Sequence, residues 1–151
     1  MTGYLDRQDL TDKVLIDGWY NTGDVALVDS DGFIKITGRM SRFSKIGGEM
    51  VPHVTIEEIL LKLLGDNDEM PNLAVTAVPD SRKGERLIVL YTTLSKTAEE
   101  LCAGLSAAGL PNLYIPSRDS FIKIDALPVL GTGKIDLKGL KQMAMDRAGE
   151  K

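Results

Sequence analysis

The 151-residue chain predicts an α+β fold, a small central sheet of about three strands flanked by helices and preceded by a β-hairpin segment. Three observations lead there. Residues 73–78 and 86–93 are nearly continuous apolar, β-prone runs, the pattern of strands in a sheet covered on both faces. Three other stretches carry apolar residues at helical spacing. The elements follow one another as hairpin, helix, strand, strand, helix, strand, helix, an order that packs helices onto a sheet.

Residues 1–37 read as turns and short strands with little apolar mass, unsuited to folding alone and frayed at the start. Within them 25–28 and 33–36 form a hairpin around Asp31-Gly32. Residues 38–50, rich in glycine and cations, read as loop with short strands. Pro52 suits the start of a helix, and Thr55 with Glu58 has the spacing of a capping box. Ile56, Ile59, Leu60, Leu63 and Leu64 then make a buried stripe, ended by Gly65, with Asp66, Asn67 and Asp68 as solvated loop. Residues 79–85 form the turn between the two apolar strands. Thr97 and Glu100 open a second helix towards Ala108, and Pro111 and Pro116 bracket a linker to a third strand at 120–124. From Asp136 onward, Leu137, Leu140, Met143 and Ala144 make a final amphipathic helix, with a loose polar tail from Arg147.

Bulk properties exclude several classes. The length suits one domain with a real core. Net charge is −4 and the pI is near 5.0, against the broad basic footprint that nucleic-acid binding needs. No apolar run reaches the roughly 18–20 residues of a membrane span. One cysteine, Cys102, allows no internal disulfide and fits a reducing, cytoplasmic setting. His53, the single histidine, has no metal partners at ligand spacing and reads as structural, so no metal site is assigned.

Four segments could carry chemistry. Asp24, closing the stretch Trp19-Tyr20-Asn21-Thr22-Gly23-Asp24, is either an exposed carboxylate in a turn-rich loop or a bidentate acceptor for two adjacent hydroxyls. Arg39, Arg42 and Lys45, opposed only by Glu49, form either a solvated basic loop or a cation cluster facing phosphate or an acidic partner. Gly47 and Gly48 make either a tight bend before the helix or backbone that can approach a ligand closely. Lys134 follows Gly131-Thr132-Gly133 on an exposed loop shaped by Pro128. That loop is no P-loop, because Ile135 stands where Ser or Thr is needed.

In this order, the segments resemble signature motifs of the adenylate-forming enzymes, the family of acyl-CoA synthetases, peptide-synthetase adenylation domains and luciferases. Residues 19–24 are similar to its Trp-Tyr-x-Thr-Gly-Asp motif, and Pro128 to Lys134 fits its final Pro-x-x-x-x-Gly-Lys motif without gaps. Residues 79–85 resemble its Pro-Asp-x-x-x-Gly-Glu turn, and Gly3-Tyr4-Leu5 the tail of an earlier motif. The resemblance covers essentially the whole chain. It implies residues 1–38 as the tail of a large adenylation domain plus a hinge-side hairpin, and 39–151 as the C-terminal lid. The large N-terminal domain of the parent chain, holding the acyl pocket and most ATP contacts, would be the principal partner, so the fragment alone is expected to be inactive.

The resemblance also implies roles. Asp24 would bind the ATP ribose and Arg39 the nucleotide. Ser41 would be the hinge, a position where many members carry an acidic residue or lysine. Lys45 would serve the second half-reaction, and Gly47 and Gly48 would line a tunnel for a pantetheine arm. Lys134 would stabilise charge as a carboxylate attacks the α-phosphorus of ATP.

The string from Gly38 to Pro52 is similar to bacterial acyl-[acyl-carrier-protein] synthetases, including the bifunctional 2-acylglycerophosphoethanolamine acyltransferase type. That implies a fatty acid, ATP with Mg²⁺, and transfer to the phosphopantetheine thiol of acyl-carrier protein, with a parent able to work at the inner membrane. A fatty acyl-CoA synthetase using CoA, an enzyme stopping at the acyl-adenylate, and a carrier-protein-binding module without chemistry are the alternatives. Acidic carrier protein and anionic CoA would be drawn equally to the Arg39, Arg42 and Lys45 segment, so charge alone does not choose between them.

Overall fold

The computed structural model describes residues 1–65 and 71–149. The chain divides into two compact units, 1–41 and 42–151, the division falling between Ser41 and Arg42.

The first unit is mostly hairpins. A helix α1, Gln8–Val14, leads into strands β1 (Leu15–Ile16) and β2 (Trp19–Tyr20), then β3 (Asp24–Val28) and β4 (Ile34–Arg39). Both strand pairs are antiparallel. The expected hairpin at 25–36 is present. Asp29 Oδ1 accepts from the N–H groups of Asp31 and Phe33, which fixes the turn. It runs further than expected, because Arg39 pairs across the ladder with Asp24. The helix α1 corrects the reading of 1–37 as turns and short strands. It lacks an apolar stripe and is organised instead by Thr11, whose hydroxyl donates to the Arg7 carbonyl and accepts from the Tyr4 N–H. Leu27, Val28, Phe33, Ile34 and Ile36 are all more than half exposed, so this unit has almost no core of its own.

The second unit is built on one sheet. Strands β5 (Phe43–Ile46) and β6 (Glu49–Pro52) form a hairpin, followed by helix α2 (His53–Leu64). Strands β7 (Leu73–Asp80) and β8 (Gly84–Tyr91) form a second hairpin. Helix α3 (Ala98–Ala107), two short 3₁₀ turns, β9 (Phe121–Lys123) and helix α4 (Leu137–Ala148) complete it. The sheet order is β6-β5-β8-β7, and β9 also pairs with β8, in parallel. It therefore has five strands, the β5–β6 hairpin adding two to the three expected.

Alternation along β7 and β8 explains the architecture. Leu73, Val75, Leu87 and Val89 face one side, where Ile56 and Leu60 of α2 and Leu101 and Leu105 of α3 cover them. Ala74, Val78, Ile88 and Leu90 face the other, against Leu140 and Ala144 of α4. Each face buries what would otherwise be an exposed apolar surface.

Local signals held at three helix ends. Thr97 and Glu100 make the expected capping box, Gly65 is the C-cap of α2, and the Asp136 side chain accepts from the Lys138 N–H at the start of α4. The expected Thr55–Glu58 box does not form. The helix starts earlier, at His53, after Pro52 in extended backbone, so Thr55 already lies inside the first turn. The loop expected at Asp66, Asn67 and Asp68, and the last two residues of the tail, lie outside the described residues. Among the described residues, no helix is long and apolar enough to cross a membrane.

Leu60→Ala and Leu140→Ala, one on each face, should each lower unfolding free energy by about 2–5 kcal/mol, measured from urea midpoints. Leu27→Ala, on the exposed hairpin, should change it by less than about 0.5 kcal/mol.

Candidate functional site

In the first unit, Asp24 and Arg39 are brought together at the end of the β3–β4 ladder. Arg39 Nε lies 2.7 Å from Asp24 Oδ1, with the aspartate side chain mostly covered and the arginine two-thirds exposed. The loop before Asp24 is held by its own side chains. Asn21 Oδ1 accepts from the Gly23 N–H and Thr22 Oγ1 from the Asp24 N–H. The Met40 N–H closes it onto the Gly23 carbonyl. A mostly covered carboxylate beside an exposed guanidinium can accept from paired hydroxyls while the cation meets phosphate.

In the second unit, Arg42 differs from what its neighbours suggested. It is not part of an open basic cluster. Its side chain is largely buried, paired with the equally buried Glu57 on α2. The other Glu57 oxygen accepts from the Val75 N–H at 2.6 Å. Burial pushes the Glu57 carboxyl up, against the opposing pull of the Arg42 charge and the Val75 N–H. The three-cation reading is therefore corrected, with Arg39 paired to Asp24, Arg42 sealed against Glu57, and Lys45 alone exposed without an ion pair among the described residues.

Lys45 sits on β5 opposite Met50. Its backbone N–H donates to Glu85 Oε2 at 2.8 Å. Gly47 and Gly48 form the exposed turn between β5 and β6, both with positive φ (59° and 93°). Beneath this hairpin lies His53, whose Nε2 is 2.7 Å from Ser44 Oγ. Burial, with help from the Arg42 and Lys141 charges, lowers its pKa to about 4. It is thus a neutral structural group at the head of α2, as expected.

Lys134 lies on a different loop. Val129 and Ile135 form an antiparallel bridge, and the Asp136 N–H donates to the Pro128 carbonyl. Inside that bridge the Leu130 N–H donates to the Lys134 carbonyl at 2.7 Å, and Gly133 turns the chain at φ 81°. Only glycine adopts that φ without strain. The result is a stiff exposed loop carrying a lysine whose ammonium makes no ion pair among the described residues. Gly133 and Ile135 line an apolar cleft with Pro71, Asn72, Thr92 and Leu127, which sets this loop at the end of β8.

The two lysine-bearing loops leave the sheet at opposite ends of β8. The β5–β6 hairpin joins it at Gly84 and the Lys134 loop lies beyond Tyr91. An eight-residue strand separates its ends by roughly 20–25 Å. Cys102, the remaining nucleophile, donates its thiol to the Pro116 carbonyl, and burial pushes its pKa up, so it acts in packing. Among the described residues, no group of three His, Cys, Asp or Glu side chains could hold a metal. Sequence reasoning missed Glu57 and Glu85 as partners of this site. Glu85 closes the segment read only as a turn, and Glu57 follows Ile56 in the helical stripe; in both cases the signal was a carboxylate whose partner lies far along the chain.

Comparison with known proteins finds CoA synthetases and ligases similar to this chain. No family model matches the chain. A feruloyl-CoA synthase from Amycolatopsis sp is 37% identical over 142 residues, covering 92% of this chain and 27% of that protein. A medium-chain fatty-acid–CoA ligase from Escherichia coli (strain K12) is 33% identical over 151 residues, covering 96% of this chain and 25% of the relative. Among solved structures, o-succinylbenzoate CoA synthetase (MenE) from Bacillus subtilis, in complex with its acyl-adenylate intermediate, aligns with a TM-score of 0.73 at 25% identity, over 93% of this chain and 28% of that one. The chain spans about a quarter of the length of the curated relatives it matches.

Because burial keeps His53 neutral, the folded state resists the proton that the unfolded chain takes up below pH 6.5. Its contribution is intact above that pH and lost as pH falls towards about 4. Wild type should therefore lose more stability over that window than His53→Gln, by up to about 3 kcal/mol, in urea melts at pH 7 and pH 4.

Proposed function

We propose that this chain, which is similar over nearly its whole length to the AMP-binding C-terminal domain of the adenylate-forming enzymes, acts as the mobile lid of an ATP-dependent acyl-activating ligase. The observation that carries the reading is the placing of two lysines without an ion pair among the described residues, one on the β5–β6 hairpin and one on the 128–136 loop, at opposite ends of one strand. One lysine cannot serve both a nucleotide site and a thiol channel from such positions at once. A lid that turns between two presentations uses each in its own step.

In the first step Lys134 faces the nucleotide. Carboxylate attack on the α-phosphorus builds negative charge on the phosphate oxygens, and a preorganised ammonium lowers that barrier. The stiff 128–136 turn holds the lysine without further reorganisation. Asp24 and Arg39 hold the ribose and phosphate edge of the nucleotide. ATP supplies the leaving pyrophosphate and, with Mg²⁺, is held chiefly by the large domain. In the second step the lid turns about Ser41, and the Lys45, Gly47 and Gly48 hairpin lines the approach of a phosphopantetheine thiol to the acyl-adenylate. The division of the chain at Ser41–Arg42 supports a pivot there. Arg42, locked to Glu57, gives the pivot a rigid lid-side anchor. The exposed apolar residues of the β3–β4 hairpin suit burial against the large domain.

The acyl group is a fatty acid and the acceptor thiol that of acyl-carrier protein, on the resemblance of the Gly38–Pro52 string, which also implies a cytoplasmic reaction by a parent able to work at the inner membrane. A second reading, in which CoA is the acceptor, is favoured by the relatives named above as CoA ligases. With Arg39 and Arg42 both paired, Lys45 is the cation of that segment left without an ion pair among the described residues, for steering either anionic partner.

In the complete ligase, Lys134→Ala should slow acyl-adenylate formation by on the order of 10²–10³ while thioester formation from supplied acyl-adenylate continues. Separate assays of pyrophosphate release and thioester formation read the two steps. Equal loss in both contradicts the two-position lid.

A further inference from the structure

The Pro79–Glu85 segment is more than a turn. Asp80 Oδ1 accepts from the N–H groups of both Arg82 and Lys83 at 2.9 Å, which fixes the bend. Those backbone bonds hold its carboxyl below the ordinary aspartate range. The bend aims the Lys83 carbonyl at the Gly47 N–H, 2.8 Å away. Gly84 pairs with Ile46 at φ 81°, and a side chain there would stand 3.5 Å from the Lys45 carbonyl oxygen. Glu85 Oε2 accepts from the Lys45 N–H at 2.8 Å. Its other oxygen lies 3.5 Å from Lys141 Nζ on α4, and its side chain is about a quarter exposed.

Lys83, Gly84 and Glu85 thus meet Gly47, Ile46 and Lys45 in turn. The ladder between β5 and β8 consists of the single Ile46–Gly84 pair. The rest of the hairpin is held by Ile46 and Val51 in the core, by Ser44 on His53 and by the Tyr114 hydroxyl on the Met50 carbonyl; the flanking bonds are what fix the Lys45–Gly47 edge to β8. A carboxylate acceptor makes a stronger bond to an N–H than a neutral one does. Lys141 in turn ties that carboxylate to α4.

Resting on the lid reading above, we propose that Glu85 is a positioning residue for the second half-reaction. It latches the Lys45–Gly48 hairpin to the sheet in the geometry that receives the thiol. It touches no reacting atom, and it lies at the opposite end of β8 from Lys134, so the adenylation step does not depend on it.

The test uses Glu85→Ala and Glu85→Gln in the complete ligase, with two readouts. In Glu85→Ala, thioester formation from supplied acyl-adenylate should fall about tenfold while pyrophosphate release stays within about twofold. Glu85→Gln, which keeps an acceptor oxygen for the Lys45 N–H, should recover most of the loss. Equal loss in both steps, no loss in either, or a glutamine variant as impaired as alanine overturns the proposal. Amide hydrogen exchange at Lys45 and Gly47 should speed up about tenfold in Glu85→Ala while Val75 and Val89 stay protected; unchanged exchange also overturns it. A wild-type ligase that forms no acyl-adenylate contradicts the proposed function instead, and the exchange readout still decides the latch.

Discussion

Everything else in the second unit depends on the β7–β8 hairpin being buried on both faces. Val75, Ile88, Val89 and Leu90 are completely enclosed. A strand pair covered on both sides has little freedom to shift register, since a slip of one residue would exchange the two cores. That rigidity is what lets short loops at its ends act as fixed arms. At the Gly84 end it holds β5 and β6, and at the Tyr91 end it holds β9 and the turn that carries Lys134.

Charge is distributed to match. Both arginines of the 39–45 segment are neutralised, Arg39 by Asp24 and Arg42 by Glu57, whereas Lys45 and Lys134 are exposed. Arg42 and Glu57 together illustrate why a buried pair serves specificity more than stability. Desolvation offsets much of their attraction, but removing either partner strands a buried charge. Glu57 also takes the Val75 N–H, so the pair joins the first residue of the second unit to α2 and the central sheet in one connection.

Elements with strong local patterns were legible in the sequence. The two apolar strands, the stripe of Ile56 and Leu60, the Thr97–Glu100 cap and the Asp31-Gly32 turn all carry their signal within a few residues. What was not legible depends on contacts between distant positions. The helix α1 has no apolar stripe and is organised by Thr11 hydrogen bonds. The β5–β6 hairpin reads as loop with short strands, but its place in the sheet is not legible, because it joins through bonds from residues 83–85. For the site, the motif residues were visible one by one, but their pairing was not. No spacing rule shows that Arg42 turns inward to Glu57, or that Asp24 and Arg39 meet across a ladder. Those facts removed two of the three cations expected on the basic surface.

The central claim is that this chain serves acyl activation followed by transfer to a phosphopantetheine thiol. The most direct test supplies the complete ligase with labelled fatty acid, ATP and Mg²⁺, with acyl-carrier protein and CoA offered in separate reactions. The account predicts pyrophosphate release and label on the carrier protein. Label on CoA alone would contradict the carrier-protein acceptor, and no pyrophosphate with no label on either would contradict the ligase itself.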